Sequence, residues 1–140
     1  CRTRHETLPM WGFTEMGWGI HPHGLKIVLQ NIKARYGNIP MIITESGCAT
    51  RDVVLEGDFI EDQDRIDYLR MHFESAWAAI QSGINLKGYF VWSLMDNFEW
   101  AQGYSPRFGL VHINYDTLER SPKKSFYWFK EFIEKNGFND

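Results

Sequence analysis

Apolar residues along the chain form helical patterns that alternate with short, continuous apolar runs. Residues 22–36 and 63–81 place their apolar side chains at helical spacing, so each predicts a helix with one buried face. Residues 121–135 repeat that spacing, with Ser121 as a typical N-cap and Pro122 at the first helical position. The pattern therefore predicts three helices.

Two apolar runs between these helices predict strands. Residues 39–44 and 87–95 are almost continuously apolar, as in strands of a parallel sheet that are buried on both faces. Residues 50–62 and 96–108 read as polar loops, and residues 109–120 as a small hairpin. The order helix, strand, helix, strand, helix is typical of an α/β fold with crossover connections and a parallel sheet.

The length of the chain leaves its architecture open. Two strands cannot complete a covered sheet, and a closed eight-stranded α/β barrel takes about 250 residues. The chain has 140 residues. It is therefore either a small open α/β domain or the end of something larger.

Composition narrows the classes of partner. The net charge is −3 and the sequence has no basic stripe, which argues against nucleic acid as a partner. No apolar run approaches the roughly 18 residues of a membrane span, so no membrane partner is expected. Two cysteines make no disulfide framework, and we expect a cytoplasmic protein. Six Trp and ten Phe serve either a heavy core or a surface that stacks on sugars or bases.

Distinctive polar residues follow both predicted strands, where active sites of α/β folds lie. The first strand runs into Glu45, and the second runs into Trp92 and a loop that contains Glu99. Paired carboxylates suit glycoside hydrolysis, and Trp92, Trp100 and Phe108 offer aromatic faces for a sugar ring. The alternative is that Glu45 is a surface carboxylate and that the aromatic residues are core.

Several long motifs resemble a known family. The segments "IITESG", "VWSLMDNFEW" and "GYSPRFGLVHINYDTLERSPKKS", with "MGWGIHPHGL" upstream, resemble the C-terminal third of family 1 glycoside hydrolases, the β-glucosidases and their 6-phospho relatives. The resemblance covers about residues 11–135. It implies that residues 1–140 are the C-terminal segment of a single (β/α)8 TIM barrel, with strands seven and eight and their flanking helices. The barrel would be incomplete in this chain.

The resemblance also implies roles for single residues in a retaining β-glucosidase. Glu45 matches the family's nucleophile. Glu99, which residue types alone pair with Glu45 as a catalytic couple, becomes a binder of sugar hydroxyls. Trp92 would be the stacking platform, Trp100 would donate its indole N–H, and Phe108 would line the same subsite. Neither a cofactor nor a metal is expected for this chemistry.

The family's proton donor has no counterpart here, because the chain contains no Asn-Glu-Pro motif. The implied partner is therefore the N-terminal portion of the same barrel, and the implied substrate is a β-glucoside or a short cello-oligosaccharide. Glu99 and Trp100 would disfavour a 6-phosphate. Ser46 stands where the family motif usually has Asn, so its local hydrogen bonds are expected to differ. Two alternatives remain: a non-catalytic sugar-binding remnant, and a small enzyme that uses Glu45 and Glu99 itself.

Overall fold

The computed structural model describes residues 11–55 and 59–138. These residues form three α-helices, six short strands and one 3₁₀ turn. In chain order they are α1 (Pro22–Tyr36), β1 (Met41–Ser46), β2 (Val53–Val54), β3 (Ile60–Glu61), α2 (Gln63–Gln81), β4 (Leu86–Val91), the 3₁₀ turn (Trp100–Gln102), β5 (Val111–Ile113), β6 (Arg120–Pro122) and α3 (Lys124–Glu134). The α/β character predicted from the sequence is confirmed.

The two longest strands, β1 and β4, lie side by side and run parallel. Helix α2 connects them, and helices α1 and α2 pack against one face of the pair. The first core cluster joins these elements, with Leu29 from α1, Met41 from β1 and Ala79 from α2. The parallel pair and its helical crossover agree with the pattern of the sequence.

A second core cluster joins α2, β4 and α3 through aromatic side chains. Phe73 of α2 stacks on Phe132 of α3 with ring centroids 4.8 Å apart, and it meets Tyr89 of β4 edge to face at the same distance. Trp128 and Phe129 of α3 pack on the same cluster. Part of the aromatic content of the chain therefore serves the core.

The opposite face of β1 and β4 is bare and apolar. Ile42 is 55% exposed and Phe90 is 60% exposed. Within the described ranges, β1 pairs only with β4, so each of the two strands keeps one unpaired edge. The helices thus cover one face only, which is the arrangement that a segment of a larger sheet would show.

The beginning of the last helix differs from the prediction. Ser121 and Pro122 belong to β6, which pairs with β5 in the predicted hairpin, and α3 starts at Lys124. The cap comes from a distant residue: Asp62, immediately before α2, accepts hydrogen bonds from the Ser125 N–H (2.8 Å) and hydroxyl (2.6 Å). The Asp62 carboxylate, which precedes another helix, therefore caps α3 in place of Ser121.

The predicted loop 50–62 contains a small antiparallel pair, in which Val53 lies opposite Glu61 and Val54 opposite Ile60. Strands of two residues leave no periodic signal in a sequence. Among the described residues, no helix is both long enough and apolar enough to cross a bilayer.

Candidate active site

The candidate site lies where β1 and β4 end. Ser46 pairs with Val91 in the last register position, and the N–H of Trp92 then donates to the Ser46 carbonyl oxygen (2.9 Å). Gly47 permits this approach, since a Cβ there would overlap the Trp92 carbonyl oxygen and lie 2.8 Å from its carbonyl carbon. Backbone contact therefore holds the segment after Glu45 directly against Trp92.

An irregularity in β1 determines where Glu45 lies. Ile43 pairs with Tyr89 and Ser46 with Val91, so β1 uses one residue more than β4 over this stretch. Ile43 packs on the helix side, and Ser46 accepts a hydrogen bond from the Tyr89 hydroxyl (2.7 Å) on that side as well. Thr44 and Glu45, between them, are both exposed. This register shift, here called the bulge, adds one residue to β1, and such irregularities change the direction of side chains beside active sites.

Since Ile43 and Ser46 both lie on the helix side, the extra residue allows the exposed Glu45 to face the open side of the strand pair. Phe90 is exposed on that face, and strand alternation puts Trp92, two residues later, on the same side. Trp92 is 37% exposed. A carboxylate and an indole therefore border the same bare face at the strand ends, and the sequence analysis predicted both of them for the site.

Glu99 and Trp100 lie on the loop after β4. The Glu99 N–H donates to the Gly103 carbonyl oxygen (2.7 Å), which closes a tight turn at the tip of the loop. Trp100 begins the 3₁₀ turn and is 82% exposed, the highest exposure among the large apolar residues described. An indole left in solvent to this extent contributes little to the packing of the described residues and is free to contact another molecule or another part of the protein.

Phe108 lies at the other end of this loop. Its carbonyl oxygen accepts from the Ser93 N–H (3.2 Å), so it is held beside Trp92. Its side chain is only 3% exposed, and its ring centroid lies 6.0 Å from that of Trp18. The described residues therefore bring Phe108 close to the site, with its ring packed below the surface.

Sequence reasoning missed a buried network of charges under the site. The Lys123 ammonium lies 2.8 Å from Asp52, in the loop after β1, and 2.9 Å from Asp96, in the loop after β4. Arg65 of α2 pairs with Asp52 (3.3 Å) and with Asp62 (2.8 Å). The side chains of Lys123 and Asp96 are fully buried. No short motif links these residues, because they come from separate elements.

Three residues of this region also have the side chains of possible metal ligands. Asp52, Asp96 and His112 bring one ligand atom each within 4.8 Å of one another. The Lys123 ammonium already contacts both carboxylates, and His112 lies 3.2 Å from Asp52. The carboxylates are therefore neutralised by protein cations, and the set does not fit a metal centre.

Cys48 lies three positions after Glu45 but has the chemistry of a core residue. It is 1% exposed. Burial raises the pKa of its thiol to about 12, against the opposing effect of the Arg65 guanidinium. Burial also raises the pKa of Tyr89, although the hydrogen bond to Ser46 opposes this. Neither group is ionised near neutral pH.

Comparisons with known proteins agree with the geometry. The sequence model described as glycosyl hydrolase family 1 matches residues 2–138. A 1,4-beta-D-glucan glucohydrolase of Thermotoga neapolitana is 54% identical over 127 residues, which are 91% of this chain and 29% of that protein. Beta-glucosidase A of Thermotoga maritima is 51% identical over 127 residues, 91% of this chain and 28% of that protein. A 6-phospho-beta-galactosidase of Leptotrichia buccalis is 43% identical over 134 residues, 95% of this chain and 28% of that protein.

Solved structures give the same result. The family 1 b-glucosidase from Thermotoga maritima superposes with a TM-score of 0.91 at 49% identity, over 98% of this chain and 30% of that one. The beta-glucosidase from the same organism in complex with glucoimidazole gives 0.90 at 49% identity, over 96% of this chain and 30% of that one. The chain thus spans less than a third of the length of these relatives.

Proposed function

Since this chain belongs to glycosyl hydrolase family 1, we propose that it forms strands seven and eight, with their helices, of one (β/α)8 barrel. We propose further that the complete barrel is a retaining β-glucosidase. It would release terminal, non-reducing β-D-glucosyl residues from β-glucosides and short cello-oligosaccharides. The names of the T. neapolitana and T. maritima relatives support this activity. The cytoplasmic location expected from the cysteine content remains a prediction.

Glu45 is the proposed nucleophile. The observation that carries this role is the exposure of Glu45 at the carboxyl end of a parallel strand, at the bulge and next to the contact between Ser46 and Trp92. Its carboxylate would attack the anomeric carbon while an acid from the N-terminal portion protonates the leaving oxygen. Water, deprotonated by that same group, would then hydrolyse the glycosyl ester and return Glu45 to its ionised form.

The residues after β4 are the proposed binders of the same sugar. Trp92 supplies a partly exposed indole next to Glu45, and Trp100 supplies a freely exposed one. Glu99 lies next to Trp100 and would accept hydrogen bonds from two sugar hydroxyls. Phe108 would close the subsite from below, where its ring is packed. Aromatic faces with a few fixed polar groups are the usual composition of a sugar site.

The carboxylate at position 99 also bears on the choice of substrate. A carboxylate repels a phosphate dianion and accepts a hydrogen bond from a free hydroxyl. We therefore propose plain β-glucosides as substrates, although a 6-phospho-beta-galactosidase is among the relatives. Comparison of an aryl β-glucoside with its 6-phosphate tests this point: the free glucoside should give the larger kcat/KM.

The bare face of β1 and β4 supports completion of the barrel by further strands. Ile42 and Phe90 are each more than half exposed. Burial of such side chains typically contributes about 1.5–3 kcal/mol each. Further strands would cover this face and would also pair the open strand edges.

The proposed function can be tested in a chimera. The 140-residue chain would replace the matching C-terminal part of beta-glucosidase A of Thermotoga maritima, which supplies the rest of the barrel. We expect hydrolysis of an aryl β-glucoside. Glu45→Gln should reduce kcat on the order of 10⁶-fold, as loss of a covalent nucleophile does in other enzymes.

Glu119→Gln is the matched control, because Glu119 is exposed on the β5–β6 hairpin and the change of side chain is the same. It should retain the activity of the parent chimera. Equal turnover by Glu45→Gln and the parent would refute the nucleophile assignment. A folded chimera that binds glucose analogues without turnover would favour the sugar-binding remnant.

A further inference from the structure

The loop that carries Glu99 is closed at its base by one buried carboxylate, that of Asp96. The Asp96 N–H donates to the Val111 carbonyl oxygen (3.0 Å), and the Gly109 N–H donates to Asp96 Oδ1 (2.8 Å). A Cβ added at Gly109 would lie 2.5 Å from the Met95 carbonyl carbon, so the two ends of the loop are in contact. Residues 97–108, here called the Glu99 loop, therefore start and finish at Asp96.

Cations then anchor this carboxylate to the rest of the fold. Arg107, near the far end of the loop, donates to Asp96 Oδ2 (3.1 Å), and the Lys123 ammonium lies 2.9 Å from Asp96 Oδ1. Lys123 also lies 2.8 Å from Asp52, which follows β1. One buried ammonium thus joins the loop after the Glu45 strand to the base of the Glu99 loop.

We propose that Asp96, acting through Lys123, is a positioning residue that fixes Glu99 and Trp100 relative to Glu45. Asp96 is fully buried, so it would not contact the sugar itself. Hydrogen bonds to a buried charge are stronger than neutral ones and tolerate little displacement. The sugar-binding part of this inference rests on the proposed function.

The magnitude follows from the geometry of catalysis. Displacement of a binding group by about 1 Å can cost about a hundredfold in rate, even when the change lies away from the reacting atoms. Asp96→Asn keeps the size of the side chain but removes its charge, and its amide cannot accept from all of the donors that the carboxylate serves. The Glu99 loop should then lose its fixed position, while Glu45 and its strand remain.

The chain offers two controls with the same Asp-to-Asn change. Asp62 is as deeply buried as Asp96, but its own hydrogen bonds tie α2 to α3, and it reaches the Glu99 loop only through Arg65, which donates to the Arg107 carbonyl oxygen (2.8 Å). Asp116 is exposed at the turn of the β5–β6 hairpin. Asp62→Asn reports the effect of losing a buried carboxylate that has only an indirect link to the loop, and Asp116→Asn reports the effect of the same substitution at the surface.

The experiment uses the chimera with each of these three variants. We would measure the Kd of deoxynojirimycin, kcat and KM on an aryl β-glucoside, the thermal midpoint, and amide hydrogen exchange over residues 97–107. Asp96→Asn should raise the Kd on the order of tenfold to a hundredfold and speed exchange in the loop. Asp62→Asn should lower the thermal midpoint with a smaller rise in Kd than Asp96→Asn, since Asp62 reaches the Glu99 loop only through Arg65, whereas Asp96 accepts hydrogen bonds at the base of that loop directly.

Two results would overturn the inference: an unchanged Kd in Asp96→Asn, or equal changes of Kd in Asp96→Asn and Asp62→Asn at equal loss of thermal midpoint. If Asp96→Asn does not fold, Arg107→Gln removes one donor to the same carboxylate and should give a smaller change in the same direction.

If the folded parent neither binds nor hydrolyses sugar, the proposed function fails. Loop exchange then decides: faster exchange in Asp96→Asn alone supports the positioning role, and unchanged exchange refutes it.

Discussion

Gly47→Ala is expected to damage both the fold and the site, because Gly47 lies where the two strand ends touch. A Cβ at this position would overlap the Trp92 carbonyl oxygen and lie 2.8 Å from the carbonyl carbon, whereas ordinary contact begins at 3.4 Å. To restore ordinary contact, the chain must move by 0.6 Å at the carbon (3.4 minus 2.8) and by more at the oxygen. This movement separates the segment that follows Glu45 from Trp92.

The cost can be worked from two effects. Overpacking in a well-packed region costs about 1–3 kcal/mol. The hydrogen bond from Trp92 N–H to the Ser46 carbonyl oxygen (2.9 Å) would lengthen, with a loss of about 1 kcal/mol. We expect a loss of about 2–4 kcal/mol in the free energy of unfolding and a fall of kcat/KM on the order of a hundredfold.

Urea denaturation of the chimera would give the free energy of unfolding, and hydrolysis of an aryl β-glucoside would give kcat/KM. Gly24→Ala is the matched control, because Gly24 lies in α1, where an added Cβ would make ordinary contact with His21 Cβ at 3.8 Å and would meet no other described atom within 4 Å outside its chain neighbours and its own helix backbone. It should stabilise the fold by about 0.5–1 kcal/mol. Parent-like stability and kcat/KM in Gly47→Ala would refute the close approach of the strand ends.

Three further substitutions or reactions test other parts of the structure. Glu99→Ala should weaken sugar binding and lower kcat together, and a change in aglycone preference alone would count against its role. The Cys48 thiol, with its pKa raised by burial to about 12, should resist iodoacetamide at pH 8 until urea unfolds the chain. The ordinary pKa of the thiol is 9.0, so only the unfolded thiol ionises as the pH rises above that value. The free energy of unfolding should therefore fall between pH 9.0 and about 12, and the shift should have no effect on it at lower pH. Ser125→Ala should cost about 1.5–3 kcal/mol in urea denaturation, since its hydroxyl donates to the buried Asp62 carboxylate while its N–H bond is retained.

The sequence predicted the long regular elements well, because their patterns are local. The bounds 22–36 and 63–81 match α1 and α2 in the structure. Both strands were predicted with shifted ends: β1 runs through Glu45 to Ser46, and β4 ends at Val91. An apolar run marks where a strand is buried but carries no information on where its hydrogen bonds stop.

Local sequence patterns could not predict contacts between residues that are far apart in the chain. Ser121 was wrong as the cap of α3 because Asp62, 63 residues before Ser125, supplies the cap instead. Nothing in the sequence near Asp96 indicates that Lys123 neutralises it. The bulge at Thr44 and Glu45 is likewise a property of the register between β1 and β4, which a single strand does not encode.

In the candidate site too, the sequence predicted the position of residues at the strand ends but not the role of each residue. Residue types placed Glu45 and Trp92 at neighbouring strand ends, and the structure confirms that these ends meet. Residue types alone also paired Glu45 with Glu99 as catalytic groups. The distinction between a nucleophile and a sugar binder came from the resemblance to the family, since two carboxylates look alike in a sequence. Both roles remain predictions.

The central claim is that Glu45 forms the glycosyl-enzyme. The most direct measurement is mass spectrometry of the chimera after incubation with an activated 2-deoxy-2-fluoro-β-glucoside, whose second step is slow enough to trap the intermediate. We predict one fluoroglucosyl group, located by peptide fragmentation on Glu45 and absent from Glu45→Gln. A folded, active chimera with the label on another residue would contradict the account.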